Sequence, residues 1–210
     1  MQTLLEAAQK DQRLSDLLTT VARETEAEVV SPLFDFEGLG RHVGHHWTTI
    51  HNGAAFGTDY LTRTAVARSN VFVNRNEETK YYYQDFDAAG DRLDGKKSYR
   101  ITFPSGKLPP TAGFWSLTLY DENHALHQNV LDRYSFGTKN RRLKFNADGS
   151  LTIVVQSWPP AAGEQANWLP APDGKFSLYL RAYGPDAVQL NGGWNPPPVL
   201  ASVERPDIGD

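Results

Sequence analysis

Four of the six histidines fall within one decapeptide, His42-Val43-Gly44-His45-His46-Trp47-Thr48-Thr49-Ile50-His51. Neutral imidazole is the commonest side-chain metal ligand, so the cluster suggests a zinc or iron site with His42, His45, His46 and His51 as ligands. Spacing weighs against it. In a strand His45 and His46 point to opposite faces, and in a helix only His42 pairs well with both. Such a site also needs a carboxylate or a further histidine held by outer hydrogen bonds. Asp35 and Glu37 are the nearest carboxylates, and neither H-x-E nor H-E-x-x-H occurs. His124 and His127 lie in a stretch that reads as a turn.

A second group combines rings with guanidinium groups. The chain has five Trp, nine Tyr and ten Phe, and Trp158, Trp168 and Trp194 each stand near proline in turn-rich segments. There an indole either packs a corner or forms the rim of a ligand cleft, with its N–H as the polar handle. Arg63, Arg133 and Arg181 each adjoin an apolar or aromatic motif. A guanidinium in such surroundings needs a carboxylate partner, such as Asp59 or Asp121, or an anionic ligand. Other chemistries lack their signatures. There is no G-x-S-x-G elbow and no phosphate-cradling glycine loop, and Asp85, Asp87, Asp91, Asp94 and Asp121 adjoin turn signals where Asp is common anyway.

Composition bounds the frame that holds these residues. The 210 residues carry 21 Lys+Arg against 25 Asp+Glu, a formal charge of −4, and no Cys. That excludes thiolate sites, a cysteine nucleophile and a disulfide scaffold, and it argues against a broad nucleic-acid footprint. No apolar run approaches the ~18 residues of a membrane span. Glu6 and Gln9 interrupt the start where a signal peptide is unbroken, so a cytoplasmic location is expected.

Residues 1–30 contain neither Gly nor Pro, and Leu14, Leu17, Leu18 and Val21 form an i, i+3, i+4, i+7 stripe. The pattern predicts a helical arm with Asp11 capping a restart and an end before Pro32. Residues 31–56 read as an irregular, glycine-broken connection. A short helix follows from Thr58, its expected N-cap, to about Arg68.

The pattern then turns to period two. Strands are predicted over Lys80–Phe86, Ser98–Phe103, Phe114–Tyr120, Leu126–Tyr134, Arg142–Phe145, Leu151–Gln156 and Phe176–Tyr183. The clearest hairpin joins Arg142–Phe145 to Leu151–Gln156 around Asn146-Ala147-Asp148-Gly149. Strands without helical crossovers predict a mainly β fold, an antiparallel sandwich or jelly roll with an N-terminal helical arm. Residues 199–210, after Pro196-Pro197-Pro198, read as an extended polar tail with no strong tendency to pack.

An ordered set of motifs carries a resemblance. It comprises Gly57-Thr58-Asp59-Tyr60-Leu61-Thr62-Arg63, Leu93-Asp94-Gly95, Phe103 to Pro110, Phe114 to Asp121, Arg133-Tyr134, Asn146 to Leu151, Asn167 to Pro172, Leu180-Arg181 and Trp194. These residues, over 57–198, resemble the domain of unknown function 1214, usually the C-terminal partner of the domain of unknown function 1254. The resemblance implies a jelly-roll-type β-sandwich and no assigned reaction. The 56 residues before it are too few for that partner domain.

The favoured reading is a small-molecule or saccharide binding domain, with a cleft of Tyr60, Arg63, Trp115, Arg133, Tyr134, Asn167, Trp168 and Arg181. One alternative is an enzyme using His or carboxylate acid–base chemistry, with or without metal at the histidine cluster. Another is a structural subunit that forms homo-oligomers through the arm. No motif names a cofactor.

Overall fold

The structure, a computed structural model, describes residues 2–32, 37–70 and 72–204. Asp35 and the last six residues of the expected tail lie outside the described residues. The chain forms two compact units, Met1–Glu37 with Phe56–Phe72, and Gly38–Ala55 with Val73–Asp210.

The first unit is helical. Helix α1 spans Gln2–Ala8 and α2 spans Gln12–Thr25. Asp11 caps α2 as expected, its carboxylate accepting from the backbone N–H groups of Arg13 and Leu14. The helix does not stop before Pro32. It passes through a π turn at Glu26–Val30, where the Ser31 N–H bonds the Glu26 carbonyl, and helical residues continue through Pro32. Helix α3, Tyr60–Ser69, is capped one residue later than expected: the Asp59 carboxylate, not Thr58, accepts from Thr62 N–H at 3.1 Å. No residue of α1 or α2 is buried.

The second unit is mainly β. Its strands are β1 (Arg41–Gly44), β2 (Trp47–Thr49), β3 (Thr79–Gln84), β4 (Lys97–Phe103), β5 (Trp115–Asp121), β6 (Ser135–Gly137), β7 (Leu151–Gln156), β8 (Trp168–Pro170), β9 (Phe176–Tyr183) and β10 (Val199–Glu204), with a one-turn helix α4 (Ala187–Leu190) before β10. They form a six-stranded sheet, β1-β2-β3-β9-β5-β6, and a four-stranded sheet, β10-β4-β7-β8. Alternate residues of both sheets meet in one core: Tyr82, Leu117, Leu119, Leu178 and Leu180 from the larger, Tyr99, Ile101, Phe103, Ile153 and Val155 from the smaller. Ring pairs cross between the sheets, Phe103 with Trp115 at 5.5 Å and Tyr99 with Phe176 at 5.7 Å. Each buried apolar side chain here contributes about 1.5–3 kcal/mol.

Several expectations are corrected. Residues 41–49 are no irregular connection but a two-residue hairpin, in which His45 and His46 both adopt positive φ (50° and 62°), a geometry usually met by Asn-Gly. The Arg142–Phe145 strand does not form, because the Asn167 side chain takes the Lys144 N–H and carbonyl. The free side of β7 is used instead by β8, in the sheet's parallel pairing, Val154 opposite Trp168. The Asn146–Gly149 turn itself is present. Leu126–Tyr134 is also no strand: the Asn129 side chain bonds the backbone of His127, Leu131 and Arg133 and holds a loop. Residues 199–204 are extended but not loose. They pair antiparallel with β4 as β10, because the edge of β4 offers a ladder and Val199 an apolar side chain that becomes fully buried. Among the described residues no helix is long and apolar enough to cross a membrane.

Candidate functional site

Most of the residues expected to line an aromatic–arginine cleft are used by the fold, and Tyr60 and Arg63 stand apart on α3. Trp115 is 4% exposed on β5 and packs on Phe103. Trp168 is 6% exposed, and its indole N–H donates to the Gln156 carbonyl at 2.9 Å. Buried Asn167 bonds Lys144 and the Thr152 carbonyl. Arg133 donates to the carbonyls of Gln165 and Trp168 at 2.8 and 2.7 Å and lies over the Phe136 ring. Burial lowers its pKa. The structure thus brings Arg133, Asn167 and Trp168 together as a clamp on the 3-10 turn Gln165–Asn167. The Tyr134 hydroxyl donates to Asp132, and Tyr60 and Arg63 are exposed on α3. Arg181, half-buried on β9, lies 5.4–5.8 Å from the rings of Tyr179, Tyr120 and Tyr81, which satisfy its charge in part.

The histidines are dispersed by their hairpin: His42 is on β1, His45 and His46 are its turn, and His51 lies beyond β2. Among the described residues no three His, Asp or Glu side chains are grouped to hold a metal. Asp85, singled out as a turn residue, is instead buried at a junction. It accepts from Ser177 Oγ at 2.6 Å and from Gly38 N–H at 2.8 Å, and lies 3.9 Å from Arg92. Arg92 in turn donates to the carbonyls of Asp85 and Phe176. These groups satisfy one another, as a structural junction requires.

The arrangement with chemical potential lies elsewhere. A cavity of about 360 Å³ is lined on the β1–β3 side by Arg41, Val43, Thr49, His51, Asn76, Glu77, Lys80 and Tyr82. Its other wall is Gln189, Leu190, Asn191, Gly192 and Asn195, from α4 and the loop after it. Lys80 and Tyr82 alternate on the face of β3 that looks into the core, opposite Ala182 and Leu180 of β9. Lys80 is 8% exposed, and burial, with Arg41 adding to it, lowers its pKa below the ordinary 10.5. Tyr82 is 1% exposed. Burial holds its hydroxyl neutral by raising its pKa, with Gln189 opposing and Asp186 adding to the effect. Gln189 is fully buried.

Among the described residues, the Tyr82 hydroxyl, both polar atoms of the Gln189 amide and Asn76 Oδ1 find no partner at hydrogen-bonding geometry. Poorly satisfied buried polar groups are costly; several border this cavity, although Thr48 Oγ1 and Gln84 Oε1 show the same elsewhere, and Tyr82 and Gln189 lie close enough for Gln189 to oppose the rise in the tyrosine pKa. The described ion pairs are Arg92–Asp85, Lys97–Asp91 and Arg100–Glu164, and neither Lys80 nor Arg41 takes part in one. Sequence reading passed over this set. The available signal was Lys80 at the inward register of an otherwise aromatic strand, Lys80-Tyr81-Tyr82-Tyr83-Gln84.

Comparison with known proteins follows the fold. The family model described as "Protein of unknown function (DUF1214)" matches residues 78–187. A solved structure, the VPA0106 protein from Vibrio parahaemolyticus, is 23% identical with a TM-score of 0.57, covering 92% of this chain and 46% of its own. An uncharacterized protein from Burkholderia cenocepacia is 18% identical with a TM-score of 0.41, covering 60% of this chain and 30% of its own. The chain therefore spans about half the length of the Vibrio protein. No curated protein matches.

Two outcomes are expected from substitution. Trp168→Ala should destabilise the protein by about 3–5 kcal/mol, read as a lower urea midpoint, because it removes a core indole. Trp168→Phe should cost less, about 1 kcal/mol for the lost indole hydrogen bond, because the Gln156 carbonyl keeps the Ala171 N–H. A Trp168→Ala protein of unchanged stability would return the indole to the surface. Lys80→Met should raise stability at pH 7. The folded state disfavours the Lys80 ammonium, so its penalty is full below the lowered folded pKa and fades as pH rises to 10.5. The advantage of Lys80→Met in thermal melting should therefore shrink from pH 7 to 10.5; an advantage independent of pH would show that charge is not its cause.

Proposed function

The chain belongs to the DUF1214 family of proteins of unknown function, and from its geometry we propose that it is a small-molecule-binding domain whose ligand occupies the cavity beside Lys80. The observation that carries this reading is the convergence of Lys80, Tyr82, Gln189 and Asn76 on one cavity of about 360 Å³, where Asn76 Oδ1 has no partner and the Tyr82 hydroxyl and Gln189 amide meet only each other, short of good hydrogen-bond geometry. The volume lies in the range of small-ligand sites, and a few polar groups in a largely apolar frame are what such sites use to orient a ligand. Compared with the aromatic–arginine cleft, this cavity has side chains whose bonding capacity the fold leaves unused. The jelly-roll class belongs to the same proposal. It is supported by the chain passing between the sheets from β3 to β4, β4 to β5, β6 to β7, β8 to β9 and β9 to β10.

A second reading concerns the arm. Leu17 and Val21 of the α2 stripe are 58% and 48% exposed, which favours association of two copies through it. Leu17→Glu with Val21→Glu should then lower the mass seen by sedimentation equilibrium, and an unchanged mass would remove this reading.

For the cavity, a panel of small polar molecules is expected to contain at least one class that raises the melting temperature with concentration; saturation at 100 times Kd corresponds to about 2.7 kcal/mol. Lys80→Met and Tyr82→Phe should weaken the shift, and Trp168→Phe should keep it. A shift equal in all three variants would place the ligand elsewhere.

A further inference from the structure

We propose that the cavity is a monoanion site that holds a small organic carboxylate between Lys80 and Arg41, with its neutral portion against Tyr82, Thr49 and the Asn191–Gly192 wall. The proposal rests on the cavity reading above and adds the ligand's chemical class.

The argument starts from charge. Lys80 projects from an inward position of β3, where its cross-strand neighbour is Ala182 and its strand neighbour on the same face is Tyr82. An ammonium in that position loses hydration, and a carboxylate of the protein ordinarily restores the balance. Among the described residues none forms an ion pair with it, and the described charged group that acts on Lys80 is Arg41, of the same sign. Two cations converging on one cavity without an ion pair to a described residue form a site that an incoming anion completes.

The rest of the lining narrows the class. Glu77 is exposed and also lines the cavity, so the nearby formal charges are Lys80 +1, Arg41 +1 and Glu77 −1, leaving +1. That balance favours one negative charge over two. A cavity of about 360 Å³ is at the small end of ligand sites, which suits an acid of modest size and not a nucleotide. The Tyr82 hydroxyl stays neutral and can donate to a carboxylate oxygen or to a substituent beside it. The groups facing Lys80 from the packed elements are Arg41 from β1, His51 from beyond β2, Glu77 from the segment before β3, and Tyr82 with Gln189 on the inner side; Asp186 adds its charge near Tyr82. Burial and the like charge of Arg41 bring the Lys80 titration below its ordinary 10.5.

The test uses the full chain and titration calorimetry at fixed ionic strength, with benzoate and lactate as acids, benzamide and lactamide as their neutral counterparts, and inorganic phosphate as a third arm. At least one acid should bind at least tenfold tighter than its amide and tighter than phosphate. Lys80→Met and Arg41→Met should each weaken that acid tenfold or more, and binding to the wild type should fall as the pH rises towards 10.5. Arg41 is exposed, so its variant serves even where Lys80→Met alters the fold. Amides that bind as tightly as the acids, with Lys80→Met abolishing both, would keep the cavity as a ligand site and overturn its anion preference. Phosphate binding tighter than either acid would assign it to inorganic anions and overturn the carboxylate. If no acid, amide or phosphate binds, the proposal falls; if the wider panel also leaves the melting temperature unmoved, the cavity reading falls with it.

Discussion

Six strands face four, and the inner surface of the larger sheet has to be covered by something other than strands at its β1–β3 end. The segment around α4 and the three prolines does this. Trp194 meets the Tyr82 ring edge-on at 5.6 Å and donates its N–H to the Lys107 carbonyl, while Trp47 reaches across to the Pro197 carbonyl at 2.8 Å. Both indoles are thereby anchored at the polar end and apolar elsewhere. A cover made of one helical turn and loop cannot match the flat packing of a strand, and it brings amides where a strand would bring alternating apolar side chains. The cavity follows from that mismatch, and so does its mixed lining.

Lys80 would be a poor residue in a fully strand-covered core. At the poorly covered end it reaches the cavity, at a cost in stability that the nearby Arg41 increases. Under the proposed function, that stability is given up to hold groups ready for a ligand and not for one another. Asp85 and Arg92 give the contrast within the same unit. There a buried carboxylate and guanidinium are closed off by Ser177, Gly38 and main-chain carbonyls, and the charge serves the fold.

Strands rich in β-formers between turn signals were legible: β4 and β5 lie where alternation put them, and β7 and β9, buried on both faces, lie where the apolar runs put them. The elements that were not legible depend on distant partners or unusual backbone. The β1–β2 hairpin turns on two histidines at positive φ, a role for which histidine carries little signal, and its glycines broke every period. Arg142–Phe145 has the alternation of a strand but loses its ladder to one side chain, Asn167, some twenty residues on. β10 looked like a tail because its partner, β4, lies about a hundred residues earlier. For the site, the inward Lys80 could have been flagged by register, whereas Gln189 and Arg41 reach it only through tertiary structure.

The same logic explains why the tryptophans misled. Aromatic residues beside proline suggest a rim when read singly, but an indole with a carbonyl within reach gains more from burial than from waiting for a ligand, and Trp168, Trp194 and Trp47 each have such a carbonyl. The placement of Trp168 and Trp194 in the chain's recognisable motifs therefore reflects how the sandwich is closed. The stretch matched by the family model, residues 78–187, contains Lys80 and Tyr82, while Arg41, His51 and Gln189 come from its flanks. One wall of the cavity thus belongs to the shared core and the others to segments around it. The buried lysine and tyrosine therefore lie within the stretch that the family model matches, while the groups that face them across the cavity lie outside it.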